Sequence, residues 1–320
     1  MRSESLPALY HVVHETRYDY ENPVSLSHQH LHLSPRDCLW QTCIAHQLSI
    51  DPLPTFQRRR FDSFGNPVTE LSIEAAHNQL FVRSESTIEV RPHLPLTPGT
   101  KAAPARLAES LPWESVRDRL SYGAMPVLLD ASRFLFESPY VRVKHEFSAF
   151  ARSCFEPKRP LLDAVQALMT RIYSEFKFDA KATTVATPVL QILEEKRGVC
   201  QDFAHLMLAC LRSLGLSARY VSGYLLTQPP PGQERMIGAD ASHAWISVFC
   251  PELNGGIWVD FDPTNNILPD TQHITLAWGR DFGDISPLRG VILGGEEHDL
   301  DIAVTVTPCD PDNKRMLQPA

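Results

Sequence analysis

RGVCQDFAHLMLACLRSLG, residues 197–215, decides how the rest of the chain is read. Phe203, Met207, Cys210 and Leu214 recur at steps of four, three and four, the spacing of one buried helical face. Gly215 is the expected stop. Cys200 opens this helix, where the backbone carries about half a positive charge and several unpaired N–H groups. With Lys196 and Arg197 just upstream, the setting is expected to lower the thiol pKa. The Cys200 backbone N–H is then available to help hold an oxyanion. No other cysteine has such surroundings, and Cys210 falls on the buried face as packing. Taken alone, a cysteine that merely begins a helix as a small residue is the simpler account.

A second group of residues changes that balance. SHAWISVFC (242–250) and GIWVDFD (256–262) alternate with period two around a short turn-rich stretch, which predicts a hairpin. Pairing Phe249 with Gly256 sets His243 directly opposite Asp262, on one face, as a base and its orienting carboxylate require. Asp260 shares that face opposite Trp245. Shortening the loop by two residues would set Asp260 against His243 instead, so pairing alone leaves both carboxylates open. Pro263 ends the strand.

Working outward, Thr187-Pro188 reads as the start of a preceding helix that stops at Gly198. LLDAVQALMTRIYSEF places Leu161, Val165, Leu168, Ile172 and Phe176 on one helical face. Residues 105–175 read as mostly helical, with breaks at Pro126, Pro139 and Pro157–Pro160. The proline-rich run from Pro92 to Pro104 reads as a linker. Residues 8–92 read as β, a small sandwich or curved sheet, with turns at ENP (21–23) and FGNP (64–67). ARYVSGYLL (218–226) and LDIAVTVTP (300–308) read as strands and QPPPGQERMIGAD as a loop. The result is an α+β chain in four parts: a β-domain (1–95), a linker and helical segment (96–160), a core (161–270) and an extension with a strand (271–320).

Bulk composition narrows the function. The 320 residues are 43% hydrophobic and 21% charged, ordinary for a globular protein, and the formal charge of −8 disfavours a general nucleic-acid binder. No run approaches the roughly 18 apolar residues of a membrane span. The N-terminus lacks the apolar centre of a secretory signal, so a cytoplasmic location is expected. Seven scattered cysteines with no CxxC pair are expected to be free thiols without a structural zinc. No acidic loop has calcium-ligand spacing, so no calcium requirement is expected, and no metal or cofactor is assigned.

The motifs GVCQDFAHLMLACLRSLGLSARYVSGY, SHAW and GIWVDFDPTNN, in that order, resemble the core of the transglutaminase-like superfamily of papain-type cysteine enzymes. YHVVHETRYDYENPVSLSHQHLHLSPRD and FDSFGNPV resemble the β-domain that precedes this core in bacterial members. LAWGRDFGDISPLRGVILGG looks like the segment that follows it. The resemblance implies a papain-like fold, a Cys-carrying helix packed on an antiparallel sheet, behind a β-sandwich-like domain. It implies a triad of Cys200, His243 and Asp262, which selects Asp262 over Asp260. The implied chemistry is acyl transfer on a peptide or protein amide through a thioester. Water as acceptor makes a peptidase or amidase, the favoured reading because nothing resembles the large accessory domains of animal crosslinking enzymes. An amine makes a transglutaminase, and a triad without turnover leaves a binding module.

Other residues carry two readings each. Gln201 can donate to an oxyanion or face solvent. Tyr224 and Trp245 can line the cleft or pack the core. Asp202 is a dipole-compatible first-turn residue, and His205, roughly 140° round the helix from Cys200, is structural. His28, His30 and His32 alternate along a strand, where packing outweighs a metal site. Asp281 and Asp284 can border substrate or serve turn chemistry. A metal held by Cys200 and His243 lacks a clear pair of further ligands.

Overall fold

The computed structural model describes residues 7–92, 107, 109–123, 125–226, 242–251 and 255–309. The linker expected at 92–104 and the loop after Leu226 lie almost wholly outside them.

One long strand organises the β-domain. β1 (Ala8–Leu31) is joined by β2 (Gln41–Asp51), β3 (Phe56–Phe61), β4 (Pro67–Ile73) and β5 (His77–Val90) in the order β2-β5-β1-β4-β3. ENP, expected to separate two strands, lies inside β1: the register to β5 slips between Asp19 and Val24 while the strand continues. Pro23 is tolerated at such an irregularity because no ladder hydrogen bond is needed there. FGNP is the turn between β3 and β4, with Gly65 at a φ of 74° that suits a residue without Cβ.

The other edge of β1 is filled from the far end of the chain. β12 (Leu288–Gly294) and β13 (His298–Cys309) both pair antiparallel with β1. The strand expected at 300–308 forms within β13 and joins the N-terminal sheet through β1.

The core half contains α1 (Trp113–Tyr122), α2 (Pro126–Ser132), α3 (His145–Ala151), α4 (Leu161–Glu175), α5 (Val189–Glu195) and α6 (Cys200–Ser213). Its antiparallel sheet runs β10-β9-β8-β11, from β8 (Ala218–Leu225), β9 (Ser242–Cys250), β10 (Ile257–Phe261) and β11 (His273–Gly279). β6 (Lys177–Phe178) and β7 (Arg197–Gly198) form a short parallel pair. β11 lies outside the strands expected from sequence, although ITLAW alternates. α5 ends at Glu195, with Lys196 in the left-handed region at φ 56°, earlier than the stop expected at Gly198.

α6 was expected to bury one face and buries all of them: every residue from Asp202 to Arg212 is buried. The cause is its position, with β8 and β9 on one side and α3, α4 and α5 on the others. Leu206, Met207, Leu208 and Leu211 lose all contact with solvent, each contributing about 1.5–3 kcal/mol. Truncating one, as in Leu208→Ala, costs about 2–5 kcal/mol. The one cation on this helix, Arg212, is satisfied by the carbonyls of Ala218, Phe136 and Arg280 and by Ser138.

The two halves meet through a shared apolar seam. Tyr10, Val12, Ile88 and Val90 from the β-domain and Val304 and Val306 from β13 pack on Tyr224, Ile274 and Leu276 of the core sheet. No helix among the described residues is long and apolar enough to cross a membrane.

Candidate active site

Cys200 is the first residue of α6, partly buried, with Val199 extended before it. The entry is held by a carboxylate. Asp202 Oδ2 accepts the Val199 backbone N–H at 2.8 Å and the Thr183 hydroxyl at 2.7 Å. This is half of a capping box, and an acid three residues past the helix entry is its signature in sequence. A Cβ on Gly198 would sit 2.7 Å from that oxygen, so glycine is needed before Val199 and Cys200. Burial pushes the Asp202 pKa up, against these two hydrogen bonds.

The upstream cations do not serve the thiol as expected. Lys196 pairs with Glu175 at 2.8 Å and lies over the rings of Phe150 and Phe176. Arg197 is engaged by Glu195 at 2.8 Å. Of the groups expected to act on the sulfur, the helix end and one imidazole are left.

That imidazole is His243, near enough to Cys200 for the sulfur to raise its pKa. Its Nε2 lies 2.8 Å from Asp262 Oδ2, which leaves Nδ1 for the sulfur side. Burial lowers the His243 pKa, but the hydrogen bonds and charges of Asp262 and Cys200 prevail and hold it at about 10. Asp262 is fully buried. Burial raises its pKa, yet His243, His273 and Asn265 outweigh that and hold it well below the usual carboxylate range.

The hairpin register differs from the expected one by two residues. Cys250 pairs with Ile257 and Ser247 with Asp260. A slip of two keeps every side chain on its face. Asp262 therefore still shares the face of His243 and reaches it diagonally from the end of β10. Asp260 is not its rival: its Oδ2 accepts the Trp245 indole N–H at 3.1 Å.

Sequence reasoning missed the carboxylate's other partners. Thr264 and Asn265 backbone N–H groups donate to Asp262 Oδ1 at 2.9 and 3.2 Å, in the turn opened by Pro263. The Asn265 side chain donates to Oδ2 at 2.7 Å, and His273 Nε2 lies 3.2 Å from the same oxygen. The PTNN run is a readable turn signal, whereas His273 is brought in by β11. Among the described residues, His243, Asp262 and His273 are the one group of three such side chains gathered closely enough to hold a metal. Their mutual hydrogen bonds account for the cluster without one.

The remaining candidates fall as follows. Trp245 is fully buried, its ring 6.0 Å from His243 and edge-on to His273 at 5.2 Å, so it backs the imidazole rather than lining an open cleft. Tyr224 is placed in the seam, its hydroxyl 2.9 Å from His14 Nδ1, and not at the cleft. Gln201 is partly buried beside Cys200, and its side chain makes no hydrogen bond among the described residues. His205 is structural: it accepts the Phe282 N–H at 3.2 Å and stacks on Tyr140. Asp281 and Asp284 do turn chemistry, accepting backbone N–H groups of Tyr140, Gly283 and Arg280. His28 meets Ser72, and His32 meets Asp62.

Comparison with known proteins places these features. Residues 10–89 match the bacterial transglutaminase-like N-terminal region, and residues 148–263 match the transglutaminase-like superfamily core. The chain is 39% identical over 305 residues to an uncharacterized protein of Mycobacterium tuberculosis, covering 95% of this chain and 94% of that one. An uncharacterized Mycobacterium leprae protein is 33% identical over 299 residues, 92% and 97% of the two chains. A protein-glutamine gamma-glutamyltransferase of Pseudomonas aeruginosa is 27% identical over 128 residues, 38% of this chain and 19% of that protein. A crystal structure of a putative cysteine protease from Cytophaga hutchinsonii superposes with a TM-score of 0.71 at 19% identity, covering 96% and 92% of the chains.

Proposed function

The chain belongs to the transglutaminase-like superfamily, which includes papain-like cysteine proteases, and from that premise we propose that it is a cysteine amidase or peptidase. Cys200 is the nucleophile, His243 the general base and acid, and Asp262 the residue that orients and charges the imidazole. The observation that carries this reading is the 2.8 Å contact between His243 and the buried Asp262, with Cys200 near enough to raise the pKa of the imidazole.

The steps follow from proton positions. The thiol proton passes to His243, and the sulfur attacks the amide carbonyl carbon. The Cys200 backbone N–H at the helix end supports the oxyanion. As the tetrahedral intermediate collapses, the C–N bond breaks and the imidazolium returns its proton to the leaving nitrogen, leaving a thioester. Water, deprotonated by the same imidazole, then releases the acid and regenerates the thiol. Asp262 stays ionised throughout, held by its turn and by His273.

Transamidation is the second reading, favoured by the similarity to the Pseudomonas glutamyltransferase; an amine replaces water in the last step. Mass spectrometry of a peptide library, incubated with wild type and Cys200→Ala with and without a primary amine, separates the outcomes. Cleavage or deamidation lost in Cys200→Ala supports hydrolysis. Amine adducts support transamidation, and unchanged peptides in every arm overturn both. Localisation to the cytoplasm belongs to the same proposal, and fractionation of a tagged chain tests it.

A further inference from the structure

A cavity of ≈ 990 Å³ lies between the β-domain and β10, away from Cys200 and His243 in its lining. Its walls include Trp40 from the β-domain and Trp258, Leu268 and Trp278 from the core. Arg219 lines it too, although only 4% exposed. The Arg219 guanidinium stands 3.6 Å from the Trp278 ring centre and 4.1 Å from that of Trp258. Arg36 stacks on Trp278 as well, at 3.1 Å. Two cations thus share one indole inside a protein whose net charge is negative.

Both leave a buried Nε without an acceptor, and Arg36 meets its other partners, Asn66 and the Phe64 carbonyl, through Nη1. A guanidinium held between ring faces with an unmet Nε–H is matched by a carboxylate, which can accept from Nε and a neighbouring nitrogen together. Burial pushes the Arg219 pKa down to about 9, ahead of the compensating charge of Asp260.

The rest of the lining restricts the ligand. Asp37, Asp130 and Asp260 also border the cavity, and its other cation, Arg91, is paired with Glu89 at 2.7 Å, so a second negative charge is disfavoured while amide N–H groups find acceptors. β10 is an edge strand of its sheet, and Asp260 stands two residues, about 7 Å, before Asp262. We propose that this cavity is a recognition site for a peptide segment carrying a single carboxylate, seated on Arg219 with its apolar neighbours against Trp40 and Trp258. The carboxylate is an acidic side chain or a free C-terminus. That the ligand is a peptide rests on the acyl-transfer reading above.

The test measures binding to the full chain carrying Cys200→Ala, by calorimetry and by tryptophan fluorescence. The probes are acetyl-Leu-Asp-Phe-amide, its Asn isostere, and the Asn peptide with a free C-terminal carboxylate. A carboxylate peptide is expected to bind at least about tenfold tighter than the neutral one. The tighter of the two carboxylate peptides identifies the source. Equal binding of all three, or no binding, overturns the site. Arg219→Met should abolish the preference; a folded variant that retains it overturns the assignment. Because Arg219 is buried, Asp130→Lys on the exposed rim is a second variant independent of the core. It should tighten carboxylate binding about threefold, and unchanged or weakened binding also overturns the assignment. Carboxylate-selective binding without any turnover by wild type would remove the acyl-transfer reading and keep the site. Turnover indifferent to the carboxylate would do the reverse.

Discussion

Nε2 of His243 lies 2.8 Å from Oδ2 of Asp262, although the hairpin register, continued past β10, puts Trp245 and not His243 opposite that carboxylate. The charge is therefore delivered by the turn that follows the strand. Asp262→Asn keeps the shape and removes the charge. Turnover should fall on the order of 10² to 10⁴-fold. The alkaline limb of kcat/KM, expected near the His243 value of about 10, should move down towards about 6.5. A pH profile that keeps its alkaline limb in this variant would show that Asp262 does not set the imidazole.

Two buried imidazoles of the core, His243 and His205, should affect stability in opposite directions. His243 titrates higher in the folded chain than when unfolded. Its contribution is complete below about pH 6.5 and is lost as pH rises through about 10. His205 is pushed down to about 3, first by burial and then by Arg212. The unfolded chain takes up its proton first, so stability drains as pH falls from about 6.5 towards that value. Denaturant titrations should show the gap between wild type and His243→Gln narrowing from pH 6.5 to 10. His205→Gln should flatten the acid side. The opposite trend in either series contradicts the corresponding burial.

His273 gives a third measurement. His273→Phe fills the same space without a donor to Asp262. Turnover should drop about tenfold, and His273→Asn should recover part of it because an amide N–H can reach the same oxygen. If Phe and Asn behave alike in rate and pH profile, His273 is only packing.

Gly223 pairs with His243 across the sheet. A Cβ there would lie 2.0 Å from the Ile274 carbonyl and 2.5 Å from the Trp245 ring. Both are fixed, so Gly223→Ala must separate β11 from β8 or displace Trp245. A loss of about 1–3 kcal/mol is expected, read from thermal or denaturant unfolding together with a loss of turnover. An undisturbed variant would mean that β11 sits further from β8.

Much of the site was legible because it is local. A cysteine entering a long apolar helix, and a histidine and a carboxylate on strands of period two, are short-range patterns. Parity is robust: the hairpin slipped by two residues and His243 and Asp262 still share a face. Lys196 and Arg197 show the limit. Proximity in sequence suggested help for the thiol, but Glu175 and Glu195 take both cations, and Glu175 arrives on a different helix.

The chain by itself determined the alternation of strands, the helix that Cys200 opens, and the kinds of side chain the chemistry needs, because these depend on periods of two and 3.6 residues and on steric rules at Gly and Pro. Only the tertiary structure decided what meets across long separations. It placed β13 beside β1, His273 on Asp262, Tyr224 on His14, and Arg219 between Trp258 and Trp278. Such contacts depend on how sheets and helices pack in three dimensions, and no local period encodes which distant strand fills an open edge.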